Sequence, residues 1–535
     1  MTPTTLPEAL SLFDSPTPLD PLYALGYEPG AQQRALILRT LQAIERPGPA
    51  NILFPGAAGT GKTTAQKLLL SVLDDCRVSF AVGAPTHKAA GRAAQSLDGR
   101  WAVTTHHRWW CGSVNELVEE GEEFSDNLAL GVAIDRVMHE RVLVIDESSM
   151  ISEADLAAIR TVAPNAIIIA VGDHHQLPPV GGAYGFDWTD ADTYGLTEVF
   201  RQAEGSPVLL AATKIREQRV PFTWSKCADW KAGAAILREA GVATQWLDAS
   251  EAGRLLAKAI KETDGNAAAV VGTHVSRVLV NDAARACLGL PSRRQGPARG
   301  ERLVARATAG GLANATACTV LDSKRQDFGP RFGMGWVLRV RTEENRERSV
   351  ALLEQQWLMV DSPANRGKIP YSVRQMLQAY CDEDTAFYGD DIAALVLPKA
   401  DAWSEAHEGA DAPKWLVKLW KAEAAGTVGA WGLYLAKHLA ALDTGYAVTC
   451  HAAQGSQWSK VMVVADWVDF LAQDPVSKEV DPDAVYRWSY TALTRASESA
   501  LVVNKSKGGW VKPPQDRDVS IGSASRDWQA RRMGR

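Results

Sequence analysis

The sequence predicts an α/β protein built on two parallel sheets, each covered by helices on both faces, with two insertions, the larger partly β. Three observations carry this. Short apolar runs alternate with helical patterns along much of the chain, as expected of strands buried on both faces of a parallel sheet. The runs fall into two series, separated by a long stretch of different character. One run leads straight into a glycine-rich loop that opens a helix, the arrangement by which such sheets present backbone N–H groups to an anion.

In chain order, residues 1–22 are rich in Pro, Thr and Asp and read as a flexible arm. NILFPG (51–56), SFAVGAP (79–85), RVLVIDE (141–147) and NAIIIAVGD (165–173) form the first series, which assigns 23–106 and 139–205 to a first domain. Between its parts lies a small insertion, 107–138, containing the acidic run VNELVEEGEEFSD. AAAVVGT (267–273), GYAVTCH (445–451), KVMVVAD (460–466) and SALVVNK (499–505) form the second series, assigning 206–296 and 441–505 to a second domain. The stretch 297–440 reads as an inserted domain, with Trp357, Trp403, Trp415, Trp420 and Trp431 mostly in its core. Residues 506–535 form a basic tail broken by Pro513–Pro514, whose ordinary role is that of a solvated extension.

Composition narrows the function. At roughly 150 residues per domain, 535 residues allow three to four domains. With 57 Lys+Arg against 63 Asp+Glu the formal charge is −6, which excludes a uniformly basic nucleic-acid coat but leaves room for a local basic groove. No apolar run approaches the roughly 20 residues that span a bilayer, and the N-terminus has neither a basic start nor a long apolar stretch, so neither a membrane segment nor a signal peptide is expected. Seven cysteines lie far apart with no C-x-x-C, which points to reduced thiols in a cytoplasmic compartment.

GAAGTGKT (56–63) fits the phosphate-loop pattern in its required setting, strand before and helix after. Gly56, Gly59 and Gly61 let backbone N–H groups turn inward around phosphate oxygens, and Ala57, Ala58, Thr60 and Thr64 complete the same turn. Lys62 brings a positive charge to the β- and γ-phosphates of ATP, and Thr63 offers a hydroxyl to Mg²⁺. An apolar strand delivers Asp146 and Glu147 at its C-terminal edge, with Asp146 placed to hold Mg²⁺ and Glu147 to orient or deprotonate a water. Gln176 follows another strand and can touch both γ-phosphate and water. His174 and His175 have no third ligand near in sequence, so a metal site there is not expected.

The order of these segments resembles the RecD/Dda-like group of superfamily 1 helicases over about 25–205 and 265–505. Tyr27, Pro29, Gln32 and Ala35 resemble the group's adenine-reading segment, which implies Gln32 at the base. APTHKAAGRAA (84–94) is similar to a loop that holds single-stranded DNA, implying contacts from Pro85, Thr86 and His87, and Thr105–His106 resembles a second contacting pair. LTEVFRQ (196–202) places Arg201, and YTALTRA (490–496) places Arg495, at the γ-phosphate. THVSRVLVN (273–281) resembles the opening of the second motor domain, implying Thr273 on the strand. TCHAAQGSQW (449–458) resembles the T-x-H-K-x-Q-G pattern, implying Thr449 and His451 on DNA and Gln454 and Gly455 at the nucleotide. The group's Lys is replaced here by Ala452, so one cation of the strand track is missing.

The resemblance implies two RecA-like P-loop domains, with an SH3-like barrel in the larger insertion and a strand-separating pin in the smaller, including Arg108, Trp109 and Trp110. It implies 5′→3′ travel on single-stranded DNA and opening of forked duplex DNA, driven by ATP and Mg²⁺. A monomer in the cytoplasm of a bacterial or phage-infected cell is expected, with a single-strand-binding or replication/repair protein as partner. Arg201 and Arg495 belong to different strand series. If both reach one nucleotide, it must sit between the two domains, and its hydrolysis must open and close them. Two other readings stay open: a translocase that strips proteins without unwinding, and a nucleotide-gated DNA-binding module with little turnover.

Overall fold

The computed structural model describes residues 29–111, 137–179, 183–189, 195–197, 205–223, 229–359 except 308, 313, 330–331 and 344, then 366, 368–369, 434–435, 438–465 and 480–505. Three five-stranded sheets organise them.

The first sheet holds β1 (Ala50–Pro55), β2 (Phe80–Ala84), β3 (Val103–Thr105), β4 (Val142–Ile145) and β5 (Ile167–Gly172), in the order β1-β5-β4-β2-β3 and parallel throughout. Successive side chains of a strand point to opposite faces, and both faces are covered. Ile167, Ile169 and Val171 pack with Leu36 and Leu41 of α1 (Ala31–Glu45) and Leu68, Leu69 and Val72 of α2 (Lys62–Asp75). Ile168 and Ala170 face the other way, onto Ile159 and Val162 of α4 (Glu153–Val162). The intervening helix α3 (His87–Ser96) follows β2.

The second sheet holds β6 (Ala243–Leu247), β7 (Ala267–Val271), β13 (Ala447–Thr449), β14 (Trp458–Ala465) and β15 (Ala496–Lys505), ordered β13-β7-β14-β15-β6 and again parallel. Ala267, Ala269 and Val271 pack against Leu256 and Ile260 of α6 (Ala249–Glu262) and Val280 and Ala284 of α7 (His274–Cys287). Ala268 and Val270 meet Val208 and Ile215 of α5 (Pro207–Gln218) and the aromatic face of α9 (Pro482–Leu493). The helices α6 and α7 approach so closely that a Cβ on Gly253 would lie 2.3 Å from that of Ala283. Two strands escaped the sequence reading. β3 has three residues, and β6 is an edge strand with four of its five residues exposed, so neither makes an apolar run.

The third sheet is antiparallel: β8 (Arg302–Ala305), β9 (Ala317–Asp327), β10 (Met334–Thr342), β11 (Glu347–Leu353) and β12 (Leu442–Thr444), ordered β11-β10-β9-β8-β12. Trp336 and Trp357 lie in its core; Trp403, Trp415, Trp420 and Trp431 fall outside the described residues. The strand expected over 445–451 begins at Ala447, because Leu442–Thr444 pairs with β8 instead. The chain therefore crosses from the third sheet to the second between residues 444 and 447.

One face of α7 fastens these two sheets. Arg277, Asn281 and Arg285 recur every fourth residue and are all buried, a spacing that puts them on one side of a helix. Arg277 pairs with Asp443, both fully enclosed. Asp443 also takes Arg293 at 3.0 Å, and Arg293 and Arg366 both reach Asp282, at 2.5 and 3.1 Å. Arg285 grips Glu301 with two donors, at 2.6 and 3.0 Å. Asn281 donates to the Ala447 carbonyl and accepts from the Tyr446 and Ala447 amides. Burial alone would raise the Asp443 carboxyl, but Arg293, Arg277 and Arg366 outweigh it and hold it well below the usual carboxylate range.

Candidate nucleotide site between the two parallel sheets

The loop between β1 and α2 is built by glycine. Gly59 and Gly61 adopt left-handed backbone (φ 80° and 75°), and a Cβ on Gly56 would sit 2.8 Å from both Lys62 Cγ and Thr60 Oγ1. Gly61 caps α2, which begins at Lys62, so the helix N-terminus opens into the loop. Thr60 is buried and donates to the Ala57 carbonyl at 2.8 Å; Ala57 is buried too, while Thr63 and Gly59 are exposed and Ala58 and Thr64 half-buried. The Lys62 ammonium folds onto the loop, donating to the carbonyls of Gly56 (2.6 Å) and Ala57 (2.9 Å). Gln33, which the sequence reading passed over, braces the loop: its Nε2 donates to the Gly61 carbonyl at 3.1 Å and its Oε1 accepts from the Gly30 amide.

Asp146 and Glu147 follow β4 directly. The Glu147 amide donates to Asp146 Oδ1 at 2.9 Å, and Glu147 itself is left-handed (φ 51°), a costly conformation for a side chain of this size. Burial and the Glu147 charge push the Asp146 carboxyl up to about 6, against the pull of Lys62 and Arg92. A carboxylate raised by its own environment fits a magnesium site, since a cation would relieve both terms, and the exposed Thr63 hydroxyl follows Lys62 at the same loop. Arg92 of α3 sits at the mouth of this cleft, donating to Gln457 at 3.2 Å. Its charge is felt by Asp146, and it interacts with Glu147 and Arg495. Arg92 lies inside APTHKAAGRAA (84–94), but a lone exposed arginine gives no signal until the fold shows what faces it.

Residues from the second sheet close the far side. Tyr490 on α9 donates its hydroxyl to Asp173 Oδ2 at 2.7 Å and accepts the Ala58 amide at 3.3 Å. The Thr491 hydroxyl accepts the Leu177 amide at 2.9 Å, and Gln454 donates to the Leu177 carbonyl at 3.0 Å. Arg487 donates to the His174 and Gln176 carbonyls and to the Tyr184 hydroxyl. Gln176 is buried between these contacts, and His175 Nδ1 meets the Tyr486 hydroxyl at 2.8 Å. The helix ends at Leu493, and Arg495 follows, 4% exposed, donating to the Thr491 and Ser456 carbonyls and the Thr494 hydroxyl. Gly455 lies against Ala89 of α3, where a Cβ would come within 2.9 Å. Arg201 is outside the described residues. Gln32 has both ends of its amide on Thr197: Nε2 donates to the hydroxyl at 2.9 Å and Oε1 accepts the amide at 2.8 Å.

The residues assigned to the strand track fall into two groups. Thr86, Thr273 and Thr449 are the N-caps of α3, α7 and the short helix α8 (Cys450–Ala453), each after a parallel strand. Thr86 and Thr273 use their hydroxyls to accept the Ala89 and Ser276 amides. His87 and His451 are exposed beside these caps, and Pro85 is half-buried. Helix N-termini with open amides suit phosphate. The pair Thr105–His106 differs: both are buried, and His106 Nδ1 meets the Ala84 carbonyl at 3.1 Å. Trp109 also departs from expectation. It is core, packed with Leu143 and Ile168 and filling the space beside Gly83, where a Cβ would lie 2.5 Å from its ring. Arg108 is exposed; the Trp110 side chain and the acidic run lie outside the described residues.

Residues 30–235 match the AAA domain family and 444–503 the UvrD-like helicase C-terminal domain family. The ATP-dependent RecD2 DNA helicase of Deinococcus radiodurans is 31% identical over 173 residues, 32% of this chain and 22% of that protein. The ATP-dependent DNA helicase dda of Enterobacteria phage T4 is 31% identical over 188 residues, 34% of this chain and 40% of that protein. The chain thus matches between about a fifth and two fifths of these relatives' own length. A crystal structure of Bacteroides Pif1 bound to ssDNA aligns over 93% of this chain and 96% of that one, at 15% identity and a TM-score of 0.43. Among the described residues no helix is long and apolar enough to cross a membrane, and Cys287, Cys318 and Cys450 are free thiols.

Proposed function

We propose that this chain, a member of the RecD/Dda-like group of superfamily 1 helicases, hydrolyses ATP between its two parallel sheets to move along single-stranded DNA and open duplex ahead of it. The observation that carries the proposal is the reach of one helix end. Tyr490 touches the phosphate loop at Ala58 and the strand-end carboxylate Asp173, while Arg495, five residues on, is close enough to act on Arg92, which in turn interacts with Asp146 and Glu147. Support also comes from relatives named as ATP-dependent DNA helicases.

Lys62 would leave the Gly56 and Ala57 carbonyls for the β- and γ-phosphates, exchanging neutral acceptors for charged ones. Thr63 and Asp146 would hold Mg²⁺, which supplies charge neutralisation on the phosphate oxygens. Glu147 is placed to take the proton of the attacking water, with Gln176 orienting that water. Arg495 would swing from its carbonyl partners to the γ-phosphoryl, where negative charge develops. Because Arg495 and Lys62 sit on different sheets, that motion closes the cleft, and phosphate release reopens it. The capped helix ends at Thr86, Thr273 and Thr449 belong to both lobes, so a strand lying across them would be regripped once per cycle. Travel is 5′→3′, a monomer suffices, and the setting is the cytoplasm of a bacterial or phage-infected cell.

The test is DNA-stimulated phosphate release together with unwinding of paired substrates carrying either a 5′ or a 3′ tail. Wild type should open the 5′-tailed fork, and Lys62→Ala should abolish turnover while remaining folded. Ordinary ATPase in that variant defeats the site; streptavidin removal without fork opening makes the protein a translocase.

A further inference from the structure

Away from the nucleotide cleft, at the base of the first insertion, three side chains converge. His106 and His107 close β3, and Asp155 lies in the first turn of α4. Each histidine places Nε2 near the same carboxylate oxygen: His106 at 3.5 Å and His107 at 3.6 Å from Asp155 Oδ1. Among the described residues these ligand atoms all lie within 4.8 Å of one another. Ligands bound tetrahedrally at about 2.0–2.1 Å are separated by roughly 3.3 Å, so two edges of the triangle are already close to a zinc ion's coordination.

The surroundings orient all this. The Ala84 carbonyl can only accept, so the contact at 3.1 Å requires the proton on His106 Nδ1. In a neutral ring that leaves the lone pair on Nε2, aimed at Asp155. A histidine whose second nitrogen is fixed by a backbone carbonyl is the usual support of a metal ligand. Asp155 is fixed likewise: its Oδ2 accepts from the Ser152 amide (3.0 Å) and hydroxyl (2.7 Å), leaving Oδ1 for the histidines.

We propose that His106, His107 and Asp155 bind one transition-metal ion of the zinc class. His107 is 45% exposed, so the ion has a path in, and His87 lies close enough to influence His107. Nitrogen ligands and a small coordination triangle select against Mg²⁺, which prefers oxygen and keeps its waters. The bound ion would tie the end of β3 to α4, and through His106 to the loop after β2, giving the first insertion a rigid root.

The test uses the full chain, tag removed and dialysed against chelator, with Zn²⁺ titrated in competition with a chromophoric chelator and Co²⁺ followed by visible absorption. One Zn²⁺ per chain and d–d bands for a nitrogen-bound Co²⁺ are expected, unchanged by millimolar Mg²⁺. His107→Ala and Asp155→Asn, the second keeping an oxygen for the Ser152 cap, should each weaken Zn²⁺ binding at least tenfold and erase the Co²⁺ bands. His438→Ala, whose ring meets the Ser349 carbonyl of β11, should do neither. Absence of stoichiometric binding, equal affinity in His107→Ala, or competition by Mg²⁺ would overturn the site, while leaving the ATPase lost in Lys62→Ala as the separate measure of the motor.

Discussion

Two aspartates at sheet ends are treated in opposite ways. Asp146, in the cleft, has a like charge beside it and a carboxyl pushed up to about 6. Asp443, at the junction of the second and third sheets, is enclosed by three arginines and held far below its usual range. The links across the cleft are single hydrogen bonds, involving the Ala58 and Leu177 amides, the Leu177 carbonyl and the Asp173 carboxylate, each satisfiable by a new partner. Those across the junction are buried ion pairs, and a charge left alone there has no substitute. The molecule is thus built to break at one seam and to hold at the other.

The contrast can be tested from its strongest expression downward. Arg495→Ala should lower kcat by about 10³-fold or more while ATP affinity changes by less than about threefold; single-turnover kinetics with nucleotide binding checks this, and equal loss of both would make Arg495 a binding group. Asp443→Ala should cost about 3–5 kcal/mol by taking the buried carboxylate from Arg277 and leaving Arg293 with Asp282 alone, read as a fall in the urea midpoint of the second and third sheets. Asp146→Asn should act in the reverse sense. An acid whose folded pKa is raised is most stable protonated, so ionisation costs stability as pH rises from about 4 through about 6. The variant should melt higher than wild type at pH 8, by an amount on the order of 1–3 kcal/mol, with the advantage gone near pH 4. Asp443 has the opposite dependence, its contribution present above the ordinary aspartate range and lost as pH falls through it. Tyr490→Phe should cost about 1 kcal/mol and raise the ATP concentration needed for half-maximal turnover. Ala452→Lys should raise the salt dependence of single-strand binding by about one ion, measured by titration at several salt concentrations.

Much of this was legible in the sequence because it rests on local pattern. The glycines of the phosphate loop are required by its backbone, and the fully buried strands β4 and β5 are unbroken apolar runs. Asp146 and Glu147 follow from a strand ending at a charged pair. What stayed hidden depends on partners distant in the chain. Gln33 looked like its neighbour Gln32, yet one braces the loop and the other meets Thr197. His106 is expected on DNA only by resemblance to a contacting pair, whereas the fold buries it beside β3. Trp109 lies in the segment likened to a pin, and only the fold shows the space beside Gly83 that takes it into the core. The arginines of α7 did carry a signal, a polar residue every fourth position on one face, but only the third sheet explains why that face is charged and dry.

The crossing between the third and second sheets has a mechanical meaning. Asp443, clamped by arginines, and Thr449, at the tip of β13, are six residues apart on nearly continuous strand. With Asn281 pinning the backbone between them at residues 446 and 447, the segment has little slack to take up strain. Load applied at Thr449 or His451 would pass undamped into the antiparallel sheet, so that sheet and the second lobe would swing as one lever, with the cleft as its pivot.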